Sequence, residues 1–314
     1  MAEQLRFDGQ VALVTGGGSG IGKAICMALA DRGARVVVNG NIRPNGVGPE
    51  ADVAAEINAL GGNAIGINAS VTDDTAVRAM VDRAVDHFGR LDIVVNNAGT
   101  TSVEHLVQDA PGPKFDEQID VHVKGSLRVA RAAWPHLIQS GAGRILNTGS
   151  GTALGGPGPH GYDGAYPVAK AALYGVTRQM AGEGAKVGIK ANLIMPWAES
   201  PMTISALTGT PIGQWISDNA GADKMARSVL FLLHRDCPAN GQFISSCGGR
   251  IARIFFGQSP GYFNPDFTPE DVRDNWSAIA GEPDADAIVG AIEVRSMEHE
   301  FTILQGYLGA VGMS

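Results

Sequence analysis

The sequence predicts an α/β fold, a doubly wound parallel sheet of about seven strands, on three observations. Short β-branched runs alternate with longer stretches of helical period, a glycine-rich turn joins the first run to the first helix, and polar residues gather where strands end. The 314 residues, 44% hydrophobic and 18% charged, suit one enlarged domain. A formal net charge of −8 without a Lys/Arg cluster argues against nucleic acid or a membrane surface as partner. No apolar run approaches the ~20 residues of a membrane-spanning helix. Cys26, Cys237 and Cys247 outline neither a disulfide framework nor a metal site, so the expectation is a cytoplasmic protein without a metal.

Val11–Val14 is the first buried strand, and Ile21, Ala24, Ile25, Ala28 and Leu29 form the apolar stripe of the helix after it. Gly33 closes that helix and residues 36–38 begin strand two, followed by a Pro/Gly loop over 41–50 and a helix around 53–60. Strand three is 64–68. The helix Asp74–Phe88 presents Val77, Met80, Val81, Ala84 and Phe88 on one side, and strand four is 93–95. A long helix over 115–138 leads to strand five at 145–147, and a helix over 166–181 leads to strand six at 191–194. The helix Ala222–Leu233 precedes strand seven at 242–244, and the last seventy or so residues are aromatic- and Pro-rich with little periodicity. There is no internal repeat.

Directly after strand one, Thr15-Gly16-Gly17-Gly18-Ser19-Gly20-Ile21-Gly22 opens a helix. Glycines permit the tight turn and let backbone N–H groups approach a pyrophosphate at the positive end of the helix dipole. Gly16, Ser19, Gly20, Ile21 and Gly22 are therefore candidate cofactor contacts. A glycine string alone fits any strand-to-helix turn, and its weight comes from its place between a strand and an amphipathic helix. Asn96-Asn97-Ala98-Gly99 ends strand four and, taken alone, is an Asn-Gly-type turn. Tyr166 and Lys170 stand at i and i+4 on one helix face, where an ammonium favours phenolate and draws the phenol towards the operating pH. Ser150 lies just past strand five, where strand ends face a cofactor crevice.

In this order the motifs resemble the short-chain dehydrogenase/reductase family over roughly residues 6–250. The resemblance implies a Rossmann-type single domain with a C-terminal extension over 251–314, packed on that domain or on a neighbouring subunit of a homodimer or homotetramer. It implies an NAD- or NADP-dependent enzyme acting on the CH–OH of a small-molecule substrate. Ser150 would bind the substrate oxygen, Tyr166 exchange the proton, and Lys170 support the phenolate and the nicotinamide ribose. Asn97, Ala98 and Gly99 would line the cofactor, Thr203 would contact the nicotinamide amide or diphosphate, and Ser70-Val71 would lie near the adenine, where the family usually has Asp-Val. NAD-preferring members end strand two on an acidic residue. Here Gly40 takes that place, Asn39 could bond a ribose hydroxyl, and Arg43 is either a phosphate partner or a solvated loop charge, so the choice between NAD and NADP stays open.

Two departures from the family pattern stand out. The interval from Ser150 to Tyr166 is longer than usual by about three residues, with 155–160 as a loop insertion over the substrate mouth and Thr152 as an alternative to the serine. His122 stands where many members place an asparagine of the proton relay. It either continues that relay with a pH dependence near neutrality or satisfies a buried carbonyl. Residues 120–135 (DVHVKGSLRVARAAWP) and 267–276 (FTPEDVRDNW) resemble the (3R)-hydroxyacyl-CoA dehydrogenase unit of peroxisomal multifunctional enzyme type 2, also called 17β-hydroxysteroid dehydrogenase type 4. That branch implies a 3-hydroxyacyl-CoA/3-ketoacyl-CoA substrate, with hydroxysteroids or other bulky hydrophobic alcohols as the alternative. Trp197 is then a pocket wall or a packed core residue. A catalytically silent nucleotide-binding protein is the reading from another class.

Overall fold

Strands of the central sheet carry apolar side chains on both faces, as a sheet covered by helices on both sides requires. In a computed structural model, residues 4–41, 48–101, 106, 112–155, 164–281 and 292–293 are described. The chain divides into two compact units, Met1–Arg253 and Ile254–Ser314. The first holds β1 (Val11–Val14), β2 (Arg35–Gly40), β3 (Asn63–Asn68), β4 (Ile93–Asn96), β5 (Arg144–Thr148), β6 (Lys190–Trp197), β7 (Phe243–Cys247) and most of β8 (Arg250–Ile254). They form one sheet in the order β3-β2-β1-β4-β5-β6-β7-β8, parallel throughout β1 to β7. The order reverses at β1/β4, which opens a crevice at the carboxyl edge. The eighth strand extends the seven expected, because Gly248 and Gly249 (φ 53° and 98°) turn the chain straight back.

Strand alternation divides the core. Ala12, Val14, Val36, Val38, Ile93, Val95, Leu146 and Ile194 pack with α1 (Gly20–Asp31), α2 (Pro49–Ala59) and α9 (Ala222–Leu233) on one face. Val11, Leu13, Val37, Val94, Ile145 and Ala191 meet α3 (Asp74–Phe88), α5 (Gly125–Ser140) and α6 (Ala165–Ala185) on the other. Asp73 caps α3 by accepting from Thr75 and Ala76 N–H, and Gly89 ends it in the left-handed region.

The long helix expected over 115–138 is built as α4 (Pro113–Gln118), a π-helical turn Ile119–Lys124, and α5. The wide turn carries His122 inward. Proline opens α2, within the loop expected over 41–50, and also α7 (Pro201–Leu207) and α8 (Pro211–Asn219), since a first helical residue needs no N–H partner. In the second unit, Thr268 and Asp271 form a capping box on α10 (Pro269–Asp274), α11 is Trp276–Ala280, and β9 (Gly257–Gln258) pairs antiparallel with β10 (Ile292–Glu293). Arg43, the stretch 156–160 of the expected insertion and most of the tail beyond 281 lie outside the described residues. Among the described residues no helix is long and apolar enough to cross a membrane, and no His/Cys/Asp/Glu cluster has metal-binding geometry.

Leu146 is fully buried in the middle of the sheet whereas Leu60 is 74% exposed. Leu146→Ala is expected to lower unfolding free energy by about 2–5 kcal/mol and Leu60→Ala by less than about 0.5 kcal/mol, read from urea midpoints. Equal losses at the two positions would overturn this account of the core.

Candidate active site

The glycine turn is held from below by one hydroxyl. Thr15 Oγ1 donates to Val95 O at 3.3 Å and accepts from Asn97 N and Ala98 N, each at 3.0 Å. Asn97 Nδ2 in turn donates to Thr15 O (3.0 Å) and Gly16 O (3.2 Å). The packing leaves no room for side chains at the turn: a Cβ on Gly22 would lie 2.1 Å from Gly16 O, and one on Gly16 would lie 2.9 Å from Ala98 Cα. No side chain caps α1 at Ser19 and no acidic residue occupies its first turn, so its N-terminal amides stay available to an anion.

A cavity of about 410 Å³ runs from this turn across the ends of β4, β5 and β6. Of the expected residues, Gly16, Ser19, Gly20, Ile21, Gly22, Asn97, Ala98, Gly99, His122, Ser150, Tyr166, Lys170 and Thr203 line it. Asn39, Ser70 and Val71 do not. Asn39 is a correction: it is buried, and its amide donates to the carbonyls of Gly40, Ile67 and Ala69, tying β2 to β3 and leaving no donor for a ribose. Ser70 Oγ pairs with Thr72 Oγ1 at 2.7 Å and accepts from Thr72 N, closing a local turn, and Val71 is buried in the core.

At the floor of the cavity Lys170 is buried and donates to Thr148 O at 2.7 Å. Burial pulls its pKa down to about 7. Its Nζ stands 5.6 Å from the centroid of the Tyr166 ring, and the His122 ring meets Tyr166 edge-on at 5.4 Å. The imidazole occupies space that only glycine leaves, since a Cβ on Gly99 would fall 2.5 Å from His122 Cε1. His122 Nε2 is 2.9 Å from Thr100 O and 3.4 Å from Thr100 N, and Nδ1 is buried with no hydrogen-bond partner among the described residues. Burial, and next the nearby Lys170 charge, push His122 down to about 3. The expected titration near neutrality is thereby corrected: the ring is neutral at pH 7.

Ser150 begins a short 3-10 turn, Gly151–Leu154, and its Oγ accepts from Thr152 Oγ1 at 2.9 Å and Thr152 N at 3.3 Å. Thr152, which lines the same cavity, thus donates to the serine from its hydroxyl and its amide. Trp197 unites its two readings, lining the cavity while packing with Leu207, Ile216 and Ala220, its indole against Gly151. Ser200 Oγ caps α7 through Thr203 N (3.1 Å) and meets Thr203 Oγ1 at 2.9 Å. Sequence reasoning did not single out Thr101, Thr148, Gly149 or Leu207 in the lining. Thr148 carried a signal in its place at the end of strand five.

The short chain dehydrogenase family model matches residues 10–207. Peroxisomal multifunctional enzyme type 2 of Mus musculus is 38% identical over 293 residues, covering 89% of this chain and 38% of that protein. The full-length enzyme of that name from Drosophila melanogaster aligns in structure with a TM-score of 0.75 at 28% identity, over 98% of this chain and 51% of that one. A short chain dehydrogenase of Burkholderia cenocepacia in complex with NADP aligns with a TM-score of 0.67 at 33% identity, over 78% of this chain and 98% of that one. This chain spans 30% to 61% of the length of the peroxisomal enzymes it matches. The match takes in the glycine turn, the β4 end and the tyrosine helix alike, and the chain belongs to the short chain dehydrogenase family as an NAD(P)-dependent oxidoreductase acting on CH–OH groups.

Proposed function

We propose that the chain interconverts a secondary alcohol and a ketone, with a 3-hydroxyacyl-CoA/3-ketoacyl-CoA pair as its substrate class. The packing of Lys170 and His122 against Tyr166 at the floor of the cavity carries the reaction type. Similarity to the peroxisomal multifunctional enzymes supports the substrate class. Bound in the crevice, a nicotinamide dinucleotide supplies the hydride exchange. Ser150 Oγ already accepts two hydrogen bonds from Thr152, so its own O–H is left to donate to the substrate oxygen. Tyr166 takes the alcohol proton in oxidation and returns it in reduction. Lys170, brought near 7 by burial, releases and regains a proton at working pH, and its ammonium form favours the phenolate. His122 Nδ1 hydrogen-bonds the water through which Lys170 exchanges its proton, and with its ring neutral it orients that water without itself taking up the proton.

Trp197, Met202 and Leu207 on the cavity wall favour a bulky apolar alcohol, such as a hydroxysteroid, as the second reading. A homodimer or homotetramer is part of the proposal, supported by the exposed Leu127 and Ile138 on α5 and Val168 on α6. So is a cytoplasmic location, supported by three free cysteines of which two are buried.

Nicotinamide absorbance, followed over acyl-CoA, steroid and simple ketone panels, tests the reading. Turnover is expected, with Tyr166→Phe lowering kcat by about 10²–10⁴-fold and Ser150→Ala by about 10²–10³-fold while dinucleotide binding persists. Binding without turnover on every panel would leave the silent nucleotide-binding protein. For His122, the unfolded ring takes up a proton below about 6.5 whereas the folded ring resists until about 3, so this residue makes stability fall as pH drops through that window. Its ring-proton NMR shift is expected to stay flat between about pH 5 and 8, and His122→Asn to flatten the acid limb of stability. A His122 midpoint near 6.5 would sink the neutral-relay assignment.

A further inference from the structure

The carboxyl end of β2 has no side chain of its own, and another element fills the space. Glu50, the second residue of α2, is 2% exposed, and its Oε2 lies 2.0 Å from where a Cβ on Gly40 would stand. Its Oε1 is engaged, accepting from Asn68 Nδ2 at 2.8 Å and Gly48 N at 3.1 Å. Its Oε2 is buried with no hydrogen-bond partner among the described residues. The start of α2 also presses on the glycine turn, because a Cβ on Gly18 would lie 2.9 Å from Glu50 N, and Gly17 N donates to Asn39 O at 2.8 Å. Glycines at 40 and 48 together make the space that this one carboxylate occupies.

Sheet order says what would meet it. Tyr166, Lys170 and Ser150 sit over β4, β5 and β6, and the amides of α1 mark the diphosphate, so the other half of a dinucleotide runs over β1, β2 and β3. The group joined to the diphosphate on that side is the adenosine ribose. We propose that Glu50 reads this ribose across Gly40, accepting from its free 2′,3′-diol and repelling a 2′-phosphate, so that the chain selects NAD over NADP. This rests on the dinucleotide-dependent reading above. The residue serves from the neighbouring helix because a β2 side chain and the Glu50 carboxylate cannot share the site.

Dissociation constants of NADH and NADPH for the full chain, by nicotinamide fluorescence and calorimetry, test it. The unaltered chain is expected to bind NADH about 10-fold or more tighter, and 5′-AMP to compete better than 2′,5′-ADP, which needs no variant and locates the discrimination on the ribose. Glu50→Gln is expected to weaken NADH, strengthen NADPH and bring their ratio within a few-fold of unity. A carboxylate that only fastens α2 would lower the melting temperature on Glu50→Gln and leave that ratio unmoved, which overturns the proposal. Equal or tighter NADPH binding by the unaltered chain overturns it as well. Failure of both dinucleotides to bind would instead bring down the functional reading beneath it.

Discussion

The Thr15 hydroxyl is the contact on which the crevice depends. It spends its proton on Val95 O and its lone pairs on two successive amides of the β4 end, fixing two strand termini with one side chain. Asn97 then returns its amide to the carbonyls of Thr15 and Gly16, so the glycine turn cannot tilt away from β4. With the turn fixed, Gly22 must approach Gly16 closely and α1 starts with its amides directed at the crevice. A serine at position 15 could keep the hydroxyl, whereas valine, its isostere, would strand two amides beneath the turn.

Desolvation does the corresponding work at the other end of the cavity. Lys170 is buried beside a backbone carbonyl, and the loss of solvent around its ammonium is why its pKa falls towards neutrality. The same burial neutralises His122, with the lysine charge acting in the same direction. Tyr166 therefore has one neighbour that changes protonation at working pH and one that does not. The π-helical turn contributes by bringing His122 across Gly99, where a regular turn would direct the ring elsewhere.

Features set by short-range pattern were legible in the sequence. The strand-turn-helix order around Gly16 to Gly22, the i and i+4 relation of Tyr166 and Lys170, and Ser150 after a strand each follow from local periodicity. What tertiary placement decides was not legible. Asn39 gave no sign that its amide would span β2 and β3, and the pKa of His122 depends on burial that periodicity cannot count. Proline at 49, 201 and 211 signals a loop or a first helical residue equally well, which hid the start of α2 and with it Glu50. The glycine at 40 looked like a missing acid because the element that fills its space lies ten residues on and in another secondary structure.

The distribution of unsatisfied polar atoms fits this division. Among the described residues seven buried side-chain atoms lack a hydrogen-bond partner, and four of them, Asn96 Oδ1, Thr148 Oγ1, His122 Nδ1 and Glu50 Oε2, sit at carboxyl ends of strands or on elements packed against them. Each orphan costs about 1–3 kcal/mol, and a sequence shaped for stability alone would have replaced or paired them. The opposite edge of the sheet shows that the chain can do so. Asp92 accepts from Val11 N and from Arg90, and Arg144 donates to the carbonyls of Ala142, Gly143, His234 and Arg235. Asp92 and Arg144 are thus fully paired at the amino edge of the sheet, where among the described residues Gln10 Oε1 is the exception. At the carboxyl edge the open groups face the crevice, so a molecule that satisfies them also stabilises the fold through its binding.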